Sequence, residues 1–347
     1  MSAKVTLKDV ARRAGVSYQT VSKVLRNQIK VTPETRARIE AAVAELGYRP
    51  NTAARSLRTQ STFLIGYSFK PHLHDEPSPI LEKFLQSVVH AAQNHGYHIM
   101  LFPWEEGENA VETYRELITS NRVDGFILSD IDYNDPRLPE LHSRGFPFVA
   151  FGRTESDPDY AYVDVDGRAG IRLAVEHLIE QGHRKIAVLA WPETSRVGAA
   201  RLNGYYQAMH NAALLIDADW VRRGEGTLQA AYQNTHALLD LPPDRRPTAI
   251  VTMVDIMALG AVHAIQERGY TVGAQIGVTG FDDTPLSRHV RPALTTLRQP
   301  VERIGQLAID LLMKILTNSP SEPEQHLLTP ELIVRESSVR ETGNRET

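Results

Sequence analysis

The chain has no cysteine among its 347 residues. That excludes disulfides, thiolate metal sites and cysteine nucleophiles. No apolar run reaches about 18 residues, so no segment reads as a transmembrane helix. The N-terminus, MSAKVTLKDVARRAG, lacks the apolar core and small-residue cleavage site of a secretory signal, which places the expected location in the cytoplasm. Catalytic signatures are missing too. There is no G-x-G-x-x-G after a strand, no G-x-x-x-x-G-K-[ST], no G-x-S-x-G and no H-E-x-x-H. The 13 histidines are scattered, and the pair His72 and His74 sits between Pro71 and Pro77 in what reads as a polar loop. No cofactor and no metal are expected, and the chain does not read as an enzyme.

What is present is a divided charge. Residues 1–60 hold 4 Lys and 8 Arg against 4 acidic residues, a net +8, so the remainder carries −12 within the overall −4. A small basic head on a large acidic body points to a polyanion-binding module at the N-terminus. A solvated basic arm would carry the same charge, so the pattern inside the head has to decide.

Leu7, Val10, Ala11 and Ala14 recur at i, i+3, i+4 and i+7, one face of a helix. Thr6 caps it, with Asp9 three residues on, and Gly15 ends it in a tight turn. Ser17 caps a second helix whose buried stripe is Val21, Val24 and Leu25. Gln19, Ser22, Lys23 and Arg26 fall on the opposite side, with Tyr18 at the margin. Thr32 and Pro33 open a third helix with Ile39, Val43 and Leu46 on its apolar face, and Gly47 stops it. Helix, glycine turn, helix and packing helix is a helix-turn-helix module. A disordered arm would not carry three capped amphipathic helices. The second helix would read double-stranded DNA. Gln19 suits an adenine edge, Lys23 the guanine O6 and N7, and Tyr18 a thymine methyl or a base hydrogen bond. Ser17, Thr20 and Ser22 suit phosphates.

The run VTLKDVARRAGVSYQTVSKVLRN, the third helix and LGYRPNTAARSL together resemble the DNA-binding headpiece of the lac repressor/gal repressor (LacI/GalR) family. The resemblance implies that Pro50 and Asn51 open a hinge helix whose Leu57 wedges into the minor groove, where an apolar side chain unstacks a base step. Ala53 and Ala54 are small enough to approach the groove, and Arg55 and Arg58 can neutralise phosphates. The DNA-contacting set is then Thr6, Ser17, Tyr18, Gln19, Thr20, Ser22, Lys23, Arg26, Asn51, Ala54, Arg55 and Leu57. Lys23 and Arg26 stand where the family usually has arginine and asparagine, which bears on operator preference rather than on binding mode.

After Gln60 strands alternate with helices. Strands are expected at 63–69, 97–102, 124–130, 147–151, 162–166, 185–190, 248–253 and 276–281. Helices are expected at 80–94, near 109–121, up to Gly182, near 197–213 and 228–239, and up to Gly269. Two series of βα units imply two parallel sheets covered on both faces, with a ligand cleft beyond the carboxyl ends of the strands. VEHLIEQGHRKIAVLAW, ARLNGYYQAM, VDIMALGAV, IGVTGFDDTPLSRHVRPALTTLRQP and PELIVRESS extend the resemblance across the chain. It implies a periplasmic-binding-protein-like core that the chain crosses three times, near 163–166, 292–299 and 327–330, with the helix at 300–317 returning to the first subdomain. The expected divisions are a headpiece at 1–50, a hinge helix at 51–61, a first core subdomain at 62–163 plus 293–327, and a second at 164–292 plus 328–341.

The resemblance places the effector on Arg201 and Asp282. An aspartate after a strand can accept from two hydroxyls, and an arginine can donate to ring or hydroxyl oxygens. Arg153 in FGR and Gln299 at the second crossing join them. Asp255 reads either as an effector ligand or as the N-cap of helix 256–268, and the cap reading is preferred. Val254 stands where the family often has asparagine. Trp104 and Trp191 follow strand ends and could each offer a stacking face or a packed rim. The segment 78–86, with Ile80, would form one wall. The expected function is a sequence-specific repressor of pseudo-palindromic operators, a homodimer controlled by a small-molecule effector, taken to be a sugar such as a disaccharide or glucoside. A corepressor-dependent regulator with a non-sugar effector is the alternative, and a cytoplasmic sugar-modifying enzyme a remote one. The terminal RESSVRETGNRET lacks the leucine heptads of a tetramerising helix.

Overall fold

The computed structural model describes residues 5–25, 29–48, 61–70, 79–104, 107, 109–154, 159–317 and 322–340. Arg26, Asn51, Ala54, Arg55 and Leu57, and the hinge assignment up to residue 60, lie outside them, as do His72 and His74. The chain falls into two compact units, one ending at Thr62 and one beginning at Phe63.

In the first unit α1 (Leu7–Ala14), α2 (Tyr18–Val24) and α3 (Pro33–Leu46) form as the capping pattern implies. The Asp9 carboxylate accepts from the Thr6 N–H at 2.9 Å and from its hydroxyl at 2.6 Å. Gly15, at φ 64, takes the left-handed conformation that a side chain would disfavour. The Ser17 and Thr32 hydroxyls accept from the amides of Thr20 and Thr35. Val10, Ala11, Ala14, Val21, Val24, Ile39, Ala42 and Tyr48 close a small core. Ser22 departs from expectation: it is buried at 5% exposure rather than presented to solvent. It neighbours Val21 at the edge of the buried stripe, and so short a side chain is covered where a longer one would reach out.

The second unit begins β1 (Leu64–Phe69), α4 (Pro79–Asn94), β2 (His98–Pro103), α5 (Glu112–Thr119), β3 (Gly125–Leu128), α6 (Arg137–Ser143), β4 (Phe148–Phe151), β5 (Tyr162–Val165). It continues α7 (Gly167–Glu180), β6 (Ile186–Ala190), α8 (Arg196–Asn211), β7 (Val221–Arg223), α9 (Leu228–Leu239), β8 (Ala249–Thr252), α10 (Asp255–Glu267), β9 (Gly277–Thr279). It ends with β10 (Thr296–Arg298), α11 (Val301–Thr317), β11 (Gln325–Leu328) and β12 (Glu331–Ile333). The first sheet has the order β11-β5-β4-β3-β1-β2 and the second β7-β6-β8-β9, with parallel pairing throughout. Central strands such as β3, β6 and β8 are buried at every residue, as sheets covered on both faces require. Phe84, Val88, Ile304, Ala308 and Leu312 of α4 and α11 share one core with the first sheet, while Tyr114, Leu117, Leu138 and Leu141 of α5 and α6 share another. Among the described residues no helix is long and apolar enough to cross a membrane, and no three acidic or histidine side chains gather as metal ligands.

Two crossing segments, β10 and β12, pair antiparallel as a ribbon. Leu294 and Leu297 belong to the core of the second sheet. β10 and β12 belong to neither of the two parallel sheets.

His183 is fully buried, with Nδ1 3.0 Å from the Thr248 hydroxyl and accepting from Arg340 at 3.3 Å. Burial first, and then the neighbouring Arg340, push its pKa from 6.5 down to about 4. Unfolding lets it bind a proton between these values, so the stability due to its neutral form is complete above pH 6.5 and is lost as pH falls toward 4. Shifts of this size correspond to on the order of 3 kcal/mol. Urea melts at pH 7.5 and 5 should show a steeper acid loss in the parent than in His183→Gln; equal losses would exclude His183 as the cause.

Candidate functional site

A cleft of about 1550 Å³ opens between the two subdomains of the second unit. Its walls follow the carboxyl ends of strands: Asp130 after β3, Arg153 after β4, Trp191 after β6, Val254 after β8 and Asp282 after β9. Such ends are where open α/β folds bind ligands. Arg201, Asp282, Arg153, Gln299, Trp191 and Ile80, drawn from distant parts of the sequence, all line it.

Arg201 lies on α8, 5% exposed. It donates from Nη1 to the Met253 carbonyl, its guanidinium carbon sits 3.6 Å from the Phe281 ring centre, and its buried Nε has no partner. The site needs glycine at 167, because a Cβ there would stand 2.9 Å from the Arg201 Cγ. Burial lowers the Arg201 pKa to about 10, against the pull of Asp282 and Asp164. Asp282 shows the complementary shift: burial raises its carboxyl to about 7, Arg201 opposes the rise and Asp255 adds to it. Desolvation thus outweighs mutual attraction at both groups. One Asp282 oxygen accepts from Gln299 Nε2 at 2.6 Å. Arg201 Nε is thus left without a hydrogen bond, while Asp282 is held on one oxygen by Gln299.

Trp191 packs into space left by two glycines. A Cβ at Gly198 would lie 2.9 Å from its Cβ, and one at Gly226 would lie 2.6 Å from its Nε1. Trp104 does not line the cleft; it is 6% exposed with the Arg137 guanidinium 4.1 Å over its ring, so its part is packing.

Asp255 is neither a cap nor a wall residue. It is the first residue of α10, Val254 occupies the cap position, and Asp255 is 1% exposed. Its carboxylate accepts from the Thr284 amide at 2.7 Å, the Thr284 hydroxyl at 2.9 Å and the Thr296 hydroxyl at 2.5 Å. These three donors from the loop after β9 and from β10 draw it beneath the cleft. Burial raises its carboxyl to about 6 in spite of them.

A second polar group was missed in the sequence. Asp164 on β5 receives Arg153 Nε at 3.1 Å and an Arg196 Nη at 3.3 Å. The Arg196 amide also donates across the cleft to Asp132 at 2.9 Å, and its buried Nε has no partner. The signal lay in YVDVD, where an acidic residue interrupts an apolar parallel strand.

In the first unit Tyr18, Gln19 and Lys23 are exposed on α2, with Tyr18 at 43%. Ser17 and Thr6 are exposed beside helix starts, and the half-buried Thr20 has its hydroxyl 2.8 Å from that of Ser17. Ser22 does not join this face.

Residues 6–51 match the model described as "Bacterial regulatory proteins, lacI family". Residues 175–338 match the "Periplasmic binding protein-like domain". The chain is 32% identical over 334 residues to "HTH-type transcriptional repressor PurR" of Proteus mirabilis, covering 96% of each. Among solved structures, a regulatory protein of LacI family from Chloroflexus aggregans is 48% identical, with TM-score 0.76, over 80% of this chain and 98% of that one. A transcriptional regulator CelR–cellobiose complex is 31% identical, with TM-score 0.73, over 96% and 99%. The lac repressor dimer bound to operator and the anti-inducer ONPF is 31% identical, with TM-score 0.79, over 97% and 100%. With relatives matched along almost its whole length and a headpiece matched by its own model, this chain belongs to the lacI family of bacterial regulatory proteins and is a DNA-binding transcriptional regulator.

Proposed function

We propose that the chain is a repressor that binds a pseudo-palindromic operator as a homodimer and changes its operator affinity when a sugar occupies the cleft. The observation that carries the sugar assignment is one cleft lined by Arg201, whose Nε has no partner, by Asp282, which Gln299 holds on one oxygen, and by the Trp191 indole. A pyranose has the matching chemistry: hydroxyls that donate to a carboxylate and accept from a guanidinium, and an apolar ring face that packs on an indole. The structural neighbour solved with cellobiose supports a disaccharide, and the neighbour solved as a dimer on operator supports the assembly.

On DNA, Gln19, Lys23 and Tyr18 read bases, while Ser17, Thr20 and Thr6 contact phosphates. Arg26, Asn51, Ala54, Arg55 and Leu57 are assigned to DNA by the family resemblance. The headpiece at 1–50 and the hinge helix at 51–61 precede the two core subdomains. The sugar acts by differential affinity for two core states, and by linkage operator DNA changes sugar affinity by the same factor. The test is a thermal-shift screen of mono- and disaccharides on the full chain. A bound sugar at about 100 times its Kd stabilises the native state by about 2.7 kcal/mol, an upward shift of a few degrees. A screen in which no sugar moves the midpoint, while a non-sugar metabolite does, would replace the sugar assignment with the corepressor reading.

A further inference from the structure

Asp283 follows Asp282 in sequence but does not line the cleft. Its side chain is 2% exposed. One oxygen receives Arg335 at 2.5 Å and the Ser287 hydroxyl at 3.2 Å. The other receives Arg298 Nε at 2.7 Å and Arg288 at 3.2 Å. Burial alone would raise its pKa, but the hydrogen bonds from Arg335 and Arg298 hold it down to about 2. The group is therefore an anion at any working pH, held by three cations.

Those cations come from separate segments. Arg298 ends β10, Arg335 lies beyond β12, and β10 and β12 are the paired crossing strands. The backbone repeats the linkage. Gly280 donates to the Thr295 carbonyl at 2.8 Å, Asp282 to the Leu297 carbonyl at 2.7 Å and the Asp283 amide to the Thr296 hydroxyl at 3.2 Å. Asp282 and Asp283 both have positive φ, 120 and 49. Non-glycine residues in such conformations cost on the order of 1–3 kcal/mol each and persist only where the surroundings over-determine them. A loop held this way cannot absorb a rotation at Asp282 within itself.

We infer that Asp283 is the positioning residue that ties Asp282 to the crossing ribbon, through Arg298 and Arg335, so that a sugar at Asp282 resets the join between the two subdomains. This rests on the effector reading of Asp282 given above. Gln299 also links Asp282 to the end of β10, but it lines the cleft and contacts the same carboxylate, whereas the Arg298 side chain touches Asp283 and Glu331 rather than Asp282.

The test uses the full chain, cellobiose, lactose, maltose and sucrose as probes, and an operator duplex selected by the full chain from a random library. Sugar affinity, and operator affinity with and without saturating sugar, are measured for the parent, Arg298→Gln and Asp283→Asn. Arg298 is half-exposed and its loss leaves Arg335 on Asp283, so this variant tests the link even where Asp283→Asn does not fold. In the parent, sugar should change operator affinity by about 5- to 150-fold, the usual range of allosteric coupling. In Arg298→Gln, sugar affinity should stay within about threefold while the operator response falls below about twofold, and Arg298→Lys should restore part of it. A full operator response in Arg298→Gln overturns the inference and leaves the effector reading standing. Loss of sugar binding along with the response reduces Asp283 to a structural support and also overturns it. A parent that binds none of the four sugars removes the effector reading, and the inference falls with it.

Discussion

Asp282→Ala is expected to abolish the sugar response while leaving a folded protein that still binds its operator. The carboxylate has one oxygen on Gln299 and faces a cleft that Arg201 also lines. A sugar bridging these groups would make charge-assisted hydrogen bonds of about 1.5–3 kcal/mol each. Losing two of them weakens sugar binding roughly 10²- to 10⁴-fold. The Arg201 guanidinium would also lose the countercharge that opposes its desolvation, which adds to the loss. Folding should survive, because burial already disfavours the ionised form of Asp282, whose carboxyl is raised to about 7. The check is calorimetric titration with the sugar found in the screen, alongside operator binding in its absence. Sugar affinity within tenfold of the parent would remove Asp282 from the site. Lost operator binding without sugar would show that Asp282 supports the DNA-competent state itself.

The loop after β9 shows where sequence reading stops. DDT at 282–284 offers three polar side chains in a row, and the resemblance singles out the first. The structure gives each a different environment. Asp282 faces the cleft, Asp283 is closed by three arginines, and Thr284 donates to Asp255. Asp283 meets Ser287 and Arg288 nearby, but the deciding partners Arg298, Arg335 and Thr296 arrive from the crossings. Asp255 failed as a cap for the same reason: distant donors outcompete the local amides. Asp164 and Arg196 were missed because their pairing depends on how the two subdomains meet.

Local signals did better where local physics decides. Caps at Ser17 and Thr32, the glycine stop at Gly15 and the apolar runs of β3, β6 and β8 were all legible. The short elements, β9 apart, were not. β7, β9, β10 and β12 have three residues each, too few to show a period, and the first, third and fourth of these were not expected at all.

Lys23→Ala is expected to weaken binding to the selected operator about 10- to 100-fold and binding to unrelated DNA by less than about threefold. A base-edge contact contributes about 1–3 kcal/mol of discrimination, whereas one phosphate contact lowers all duplex binding together. Lys23 is exposed on α2 one turn beyond Gln19, and Ser17 Oγ accepts from the Thr20 amide and lies 2.8 Å from the Thr20 hydroxyl at the exposed helix start. On the proposed reading, a phosphate would be anchored at the helix start and bases read further along the exposed face. The alternative for Lys23 is a charge completing the last turn of a seven-residue helix, where it would interact with the helix dipole. Such a role contributes about 0.3–1 kcal/mol to folding and would appear in the melting midpoint of the headpiece transition. The helix should nonetheless hold, because Val21 and Val24, both fully packed, fix it to the core of the first unit. Salt titrations separate the two. If Lys23 reads a base, the slope of log affinity against log salt changes by no more than about one charge on either DNA, and the loss persists at high salt on the operator alone. Equal losses on both DNAs, vanishing as salt rises, would make Lys23 a phosphate contact and move the reading of the operator to Gln19 and Tyr18.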